Sequence, residues 1–175
     1  MGSLHGRRMV ELIRDFAPHL DAEAEAEALA AAEGPDTNGV YEVEGARALL
    51  QGLPPGRWAI ATSGNHLTAT TRITHTGLPS PAVLVTADDV RRGKPDPEPY
   101  LLAASRLGIA PERCVVIEDA PAGIAAAQAA GMKAIGLATT HTPAELANAD
   151  AIAPHLRALH ITPNGDGSLM VSLTG

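Results

Sequence analysis

Three short polar clusters follow or link apolar runs, and their residue types could bind an anion and a metal ion. Thr62-Ser63-Gly64 follows the apolar run 58–61, and Glu118-Asp119 follows the apolar run 114–117. Lys94 lies between them in the sequence, held in Gly-Lys-Pro. The hydroxyl, the ammonium group and the two carboxylates suit phosphate and metal binding, provided that the fold brings them together.

The cluster Thr62-Ser63-Gly64 offers one hydroxyl and a small-residue backbone that a ligand can approach. Backbone N–H groups at the start of a helix attract phosphate oxygens. Small polar residues after a strand also form ordinary turns. This cluster alone therefore leaves both interpretations open.

Lys94 is flanked by Gly93 and Pro95, just before a predicted helix. A lone lysine is usually a solvated surface residue. Here the lysine lies between glycine and proline at the start of a helix, and Pro95 restricts its backbone, which fixes where the ammonium group points. A fixed ammonium group can neutralise phosphate charge and keep a neighbouring carboxylate ionised.

Glu118 and Asp119 come directly after a buried apolar strand. Two carboxylates at such a place are costly unless they are paired or bound to a metal. One of them could cap the next helix, but a cap needs only one carboxylate. Hard carboxylate oxygens suit Mg2+, so the pair predicts a Mg2+ site.

Apolar periodicity and breaker residues predict the elements that must position these clusters. Helices are expected over 8–20, 21–33, 44–51, 65–76, 97–107 and 121–130, with Asp96 as the cap of the fifth and a capping-box helix starting at Thr142. Strands are expected over 58–61, 82–85, 114–117, 133–137 and 149–153, followed by a β-hairpin within 160–171. This alternation predicts an α/β fold with a parallel sheet and helices on both faces. Ligands of such folds bind at the carboxyl ends of the strands.

Composition excludes several classes of protein. The chain has 175 residues, 45% of them apolar, a net charge of −7 and one cysteine, Cys114. The negative charge and the small number of aromatic residues argue against a nucleic-acid partner. No apolar run has the length of a membrane span, and the first residues lack a signal peptide. We expect a cytoplasmic monomer with no membrane partner.

The local sequences around the three clusters resemble the haloacid dehalogenase superfamily. Ala61-Thr62-Ser63-Gly64, Gly93–Pro97 and Val116–Ile124 are similar to its second, third and fourth motifs. The most similar subgroup comprises the helical-capped sugar- and polyol-phosphate phosphatases, together with their β-phosphoglucomutase relatives. The resemblance implies a Rossmann-like core over 53–175, a partial helical cap over 1–52 and a C-terminal β-hairpin.

The resemblance also implies a role for each matching residue. Thr62 and the backbone of Ser63 and Gly64 would bind phosphoryl oxygens, and Lys94 would stabilise the charge around the nucleophile. Glu118 and Asp119 would hold Mg2+. Arg7 or Arg8 matches the cap region that contacts the substrate in this family, although both could equally be solvated arginines at a helix start.

The family's first motif, Asp-x-Asp-Gly-Thr after the central strand, does not occur in the sequence. Its first aspartate forms an aspartyl-phosphate and its second acts as general acid and base. We therefore expect a Mg2+-dependent phosphatase of small sugar or polyol phosphates that lacks this first strand and is inactive alone. The alternatives are a non-catalytic phosphate- or metal-binding remnant and a sugar-phosphate mutase relative.

Overall fold

A computed structural model describes residues 6–174, so the first five residues of the expected cap lie outside the described part. The helices are α1 Met9–Phe16, α2 Ala22–Glu33, α3 Ala46–Gln51, α4 His66–Thr76, α5 Glu98–Leu107 and α6 Pro121–Ala129. The strands are β1 Ala59–Ala61, β2 Val83–Val85, β3 Val115–Glu118, β4 Lys133–Leu137, β5 Ala151–Ala153, β6 Leu159–Pro163 and β7 Leu169–Leu173.

Parallel pairing and strand–helix alternation confirm the predicted α/β class. β1 pairs with β2, and β3, β4 and β5 form a second parallel sheet in that order. β6 and β7 form the antiparallel hairpin. Within residues 6–174 no ladder joins β1 to β3, so the parallel strands form two separate pieces.

Helices and loops cover the parallel strands. α5 packs on β1 and β2, and α6 packs on β3 and β4. Ile124 of α6 and Leu146 are almost completely buried in the cluster on one side of β3–β5. On the other side, Ile135 and Leu137 of β4 pack against Leu49 of α3 and Val171 of the hairpin.

The first helix is shorter than predicted. α1 ends at Phe16, and Ala17 leaves the helical conformation before Pro18. A proline disfavours helical geometry in the residue before it, which explains why the apolar periodicity through Leu20 is not followed. α1 buries none of its residues, and Phe16 is 62% exposed.

Two predicted helix starts also differ. Pro97, not Asp96, is the cap residue of α5, although the Asp96 carboxylate accepts from the Glu98 amide at 3.0 Å. The capping box of Thr142 and Glu145 forms, at 2.9 Å from the Thr142 amide to the Glu145 carboxylate. No α-helix follows it. The chain instead turns so that Leu146 is buried and the Asp150 amide donates to the Ala134 carbonyl at 2.9 Å.

None of the helices in the described part of the chain is long and apolar enough to cross a bilayer.

Candidate active site

The carboxyl ends of β1 and β3 meet at Lys94. The Lys94 ammonium group donates to the Ala61 carbonyl at 3.1 Å and forms an ion pair with Glu118. Lys94 is only 5% exposed and Glu118 only 8%. The structure thus brings together two of the three polar clusters directly, and Lys94 links the two pieces of the parallel sheet.

Both oxygens of Glu118 are occupied by donors. Oε1 accepts from Lys94 and from the Tyr100 hydroxyl at 2.7 Å, and Oε2 accepts from the amides of Asp119 and Ala120 at 3.0 and 3.2 Å. A carboxylate has about four acceptor positions, so this set leaves none facing a metal. Glu118 is held here as the counter-ion of Lys94.

Tyr100 closes this buried group from α5. Its ring lies 5.0 Å from the Lys94 nitrogen, within the range of a cation–π contact. Burial, and then the neighbouring Glu118 carboxylate, raise the pKa of Tyr100 well above its ordinary value. Tyr100 therefore stays a neutral hydrogen-bond donor to Glu118.

Asp119 faces the loop after β4. Its Oδ2 accepts from the Thr140 hydroxyl at 2.6 Å, and its carbonyl lies 2.8 Å from Nδ1 of His141. Oδ1 has no hydrogen bond in the described part of the chain. Asp119 thus presents one carboxylate oxygen for a ligand.

The described residues do not complete a metal site by themselves. Among residues 6–174, no group of three or more His, Cys, Asp or Glu side chains is arranged to hold a metal ion. Of the two predicted ligands, Glu118 is engaged by donors and Asp119 offers one oxygen. Mg2+ normally takes six oxygens, several of them water or phosphate, so this chain supplies only part of such a set.

The cluster Thr62-Ser63-Gly64 forms a tight turn after β1. The Thr62 hydroxyl oxygen accepts from the Gly64 amide at 3.1 Å, which leaves its own proton free to donate to a ligand. The Ser63 hydroxyl donates to the Gly6 carbonyl at 2.6 Å. This last contact fixes the segment before α1 over the carboxyl end of β1.

A cleft of about 740 Å³ opens between this turn and the first two helices. Ser63 and Gly64 line it together with Arg7 and Arg8, whereas Thr62, Lys94 and Glu118 are not part of its lining. Arg7 pairs with Asp15 at 2.7 Å and Arg8 donates to the Arg91 carbonyl at 2.6 Å. The Nε atoms of both arginines are buried and lack a partner in the described part of the chain, so each retains a donor.

Several residues of this site were not predicted from the sequence. Tyr100 and Thr140 donate to the carboxylates of Glu118 and Asp119, His141 contacts the Asp119 backbone carbonyl, and Gly6 contacts Ser63. Tyr100 carries a weak signal, since it is an aromatic residue in the first turn of the helix that Lys94 precedes. Thr140, His141 and Gly6 contact their partners across long stretches of sequence and leave no local pattern.

Comparisons with known proteins identify the family of this chain. The family of haloacid dehalogenase-like hydrolases matches residues 5–131. Hexitol phosphatase A of Escherichia coli (strain K12) is 40% identical over 93% of this chain and 79% of its own length. Glycerol-1-phosphate phosphohydrolase 2 of Saccharomyces cerevisiae is 44% identical over 78% of this chain, which spans 59% of that relative.

A solved structure supports the same assignment. CbbY of Rhodobacter sphaeroides, in complex with phosphate, matches 87% of this chain and 75% of its own with a TM-score of 0.65 and 27% identity. The family match covers well over half of the 175 residues. The chain therefore belongs to the haloacid dehalogenase-like hydrolases, a family of enzymes that includes phosphatases of sugar and polyol phosphates.

Proposed function

We propose that this chain binds the phosphate group of small sugar or polyol phosphates at the carboxyl ends of β1 and β3. The observation that carries the proposal is the buried ammonium group of Lys94, which is fixed between the end of β1 and Glu118. A buried, oriented cation beside a turn with a free hydroxyl proton suits a phosphate dianion. The hexitol and glycerol-1-phosphate phosphatases among the relatives support the sugar or polyol class.

Each site residue receives a role in this proposal. Thr62 donates its hydroxyl proton to a phosphate oxygen, and the Ser63 amide donates alongside it, while the Gly64 amide holds the Thr62 hydroxyl oxygen. Lys94 neutralises the negative charge on the phosphate. Arg7 and Arg8, on the partial cap formed by residues 1–52, contact the sugar or polyol part from the cleft above the core formed by residues 53–175.

Magnesium is the proposed cofactor, with Asp119 as the ligand from this chain. The bound ion would offset repulsion between an anionic substrate and an anionic nucleophile. We assign Glu118 to Lys94 and not to direct contact with the metal, because four donors already surround its carboxylate. Phosphate oxygens, water and other carboxylates would fill the remaining positions.

The proposed hydrolysis passes through an aspartyl-phosphate, yet the sequence contains no Asp-x-Asp. The nucleophile must then come from polypeptide outside these 175 residues. The proposal for this chain by itself is binding without turnover. A non-catalytic phosphate-binding protein is the second candidate, and the lack of Asp-x-Asp in the sequence favours it.

The test uses the purified 175-residue chain. Calorimetric titration with inorganic phosphate, with and without Mg2+, should show binding that Thr62→Ala and Lys94→Met each weaken at least about tenfold, the effect of about 1.4 kcal/mol. Ser80→Ala, at an exposed loop position, serves as the control. No phosphate binding by the folded wild type would refute the proposed site, and turnover of p-nitrophenyl phosphate would refute the proposed inactivity.

A longer protein that contains the first motif separates the two candidates. The same chain preceded by a segment that carries Asp-x-Asp-Gly-Thr should hydrolyse hexitol and glycerol phosphates in the presence of Mg2+. Binding without hydrolysis in that longer protein would favour the non-catalytic candidate. Transfer of phosphate between two positions of a sugar, without release, would favour the mutase relatives.

A further inference from the structure

Two carboxylates hold three successive amides just before Lys94. Glu98 accepts from the amides of Arg91 and Arg92 at 3.0 and 2.9 Å, and Glu11 accepts from the amide of Gly93 at 2.7 Å. We call this arrangement, formed by the two glutamates and the amides of 91–93, the 91–93 clamp. Each of these bonds joins a neutral donor to a charged acceptor and is therefore stronger than a neutral hydrogen bond.

The two carboxylates belong to different parts of the chain. Glu98 lies in the first turn of α5, which packs on β1 and β2. Glu11 lies in α1, which contacts α2 and buries none of its own residues in the core. One half of the clamp is thus carried by a helix that packs on the strands, and the other half is present only while α1 lies against the loop.

The position of Gly93 shows how closely α1 approaches this loop. A Cβ atom at Gly93 would lie 2.5 Å from Cγ and Cδ of Arg8 and 3.1 Å from Oε2 of Glu11. Arg8 donates to the Arg91 carbonyl at 2.6 Å and lies 3.8 Å from the Glu11 carboxylate. Glycine at position 93 therefore leaves the space in which the Arg8–Glu11 pair sits.

Lys94 follows Gly93 directly, and its ammonium group is buried with fixed partners. We infer that Glu11 is a positioning residue: by holding the Gly93 amide it fixes the backbone from which Lys94 reaches the site. This inference rests on the proposed phosphate-binding role of Lys94. Its consequence is that α1 must be docked on the 91–93 loop for Lys94 to be fully oriented.

The charge of Glu11 makes the inference testable, because loss of the charge and loss of the clamp should change the phosphate affinity in opposite directions. Removing a negative charge near an anion site should by itself tighten phosphate binding. Loss of the clamp should weaken it, because Lys94 is no longer held. Glu11→Gln removes the charge and keeps an oxygen that can accept from Gly93, whereas Glu11→Ala removes both.

The experiment uses the uniformly 15N-labelled 175-residue chain as wild type, Glu11→Gln, Glu11→Ala and Glu25→Ala. Glu25 is an exposed glutamate of α2, so its replacement removes the same charge without touching the loop. Amide spectra report on Gly93 and Lys94, and phosphate titrations give the dissociation constant. In Glu11→Ala we expect the Gly93 amide to exchange at least about tenfold faster and phosphate to bind roughly five- to tenfold more weakly.

The other variants decide between the explanations. Glu11→Gln should retain most of the phosphate affinity, and Glu25→Ala should match wild type. The inference fails if Glu11→Ala leaves the Lys94 amide resonance unchanged, or if it tightens phosphate binding as charge removal alone would. If the folded wild type binds no phosphate, the proposed function falls, and the amide spectra still decide whether Glu11 positions Lys94.

Discussion

At the level of single residues, the buried pair of Lys94 and Glu118 organises the site. Moving two charges out of water is expensive, and only mutual attraction with further hydrogen bonds offsets this cost. Ala61, Tyr100 and two backbone amides provide those bonds. The pair thus fixes where the ammonium group lies, although a buried ion pair contributes little net stability compared with an apolar pair of similar size.

Glu118→Gln should destabilise the fold strongly. The substitution keeps the shape but leaves the Lys94 charge buried without its counter-ion, a change that costs about 3–5 kcal/mol. Urea denaturation monitored by circular dichroism measures the loss. Glu112→Gln, at an exposed position, should change the free energy of unfolding by less than about 0.5 kcal/mol. Equal free energies of unfolding for the two variants would show that the buried Lys94 charge does not need Glu118 as its counter-ion.

Asp89 predicts a pH dependence of stability. The Arg106 guanidinium, followed by hydrogen bonds from Thr86, lowers the pKa of Asp89 from 3.8 to about 2. Since this pKa is lower in the folded state, the carboxylate stabilises the fold above pH 3.8, and the contribution is lost as pH falls towards 2. Asp89→Asn should therefore differ from wild type at pH 6 and approach it near pH 2, as measured by urea unfolding.

Arg106 provides the control for Asp89. Its guanidinium group donates to Asp89 at 2.7 Å and to the Leu84 carbonyl at 3.0 Å. The double variant Asp89→Asn with Arg106→Gln should lose less than the sum of the single variants, because both remove the same bond. Full additivity would contradict the assigned cause.

At the level of elements, the close contact between α6 and the end of β3 depends on Gly123. A Cβ atom at this position would overlap Cδ and Oε1 of Glu118. Alanine normally favours a helix over glycine by up to about 1 kcal/mol. At position 123, however, the Cβ atom would overlap a carboxylate that four donors hold in place, so alanine should be less stable than glycine there.

Gly123→Ala is accordingly expected to destabilise the protein by about 1–3 kcal/mol, as overpacking does. Thermal and urea unfolding measure the change. Gly165→Ala is the matched control, since no atom lies within 4 Å of a Cβ atom there. A stabilised Gly123→Ala variant would mean that Glu118 can move without cost.

The elements that carry local signals could be predicted from the sequence. Strands β1 to β5 and helix α4 follow from apolar runs, capping residues and glycine stops within each segment. The range predicted for the first helix, 8–20, is too long, because Pro18 disfavours helical geometry at Ala17 despite the apolar periodicity through Leu20. The segment after Thr142 has the capping box of a helix but makes turns, because the burial of Leu146 and the return to Ala134 are decided by tertiary contacts.

Contacts across the sequence could not be predicted in the same way. The motif around Lys94 points to a fixed cation, but nothing near it indicates that Tyr100 and Glu118 share a hydrogen bond. Glu11 reads as an ordinary polar residue of an amphipathic helix, yet it binds an amide 82 positions away. Such partners depend on how separate elements pack.

At the level of the whole molecule, the parallel strands form two pieces that Lys94 connects. The Thr62 amide donates to Val85 of β2, and the Cys114 carbonyl accepts from Lys133 of β4. Neighbouring residues of a strand point their polar backbone groups in opposite directions across the sheet. The amides of Ala61 in β1 and Ile117 in β3 must therefore point away from β2 and β4, towards edges that no described strand pairs.

Amide hydrogen exchange tests this arrangement residue by residue. In the 175-residue chain, the amides of Ala61 and Ile117 should exchange at least about tenfold faster than those of Thr62 and Val116, because only the latter two bond to a neighbouring strand. Exchange governed by local opening gives such differences between adjacent residues. Protection of Ala61 and Ile117 equal to that of their neighbours would contradict open edges. In the longer protein that carries Asp-x-Asp-Gly-Thr, both amides should become protected, since a strand inserted between β1 and β3 would accept from them.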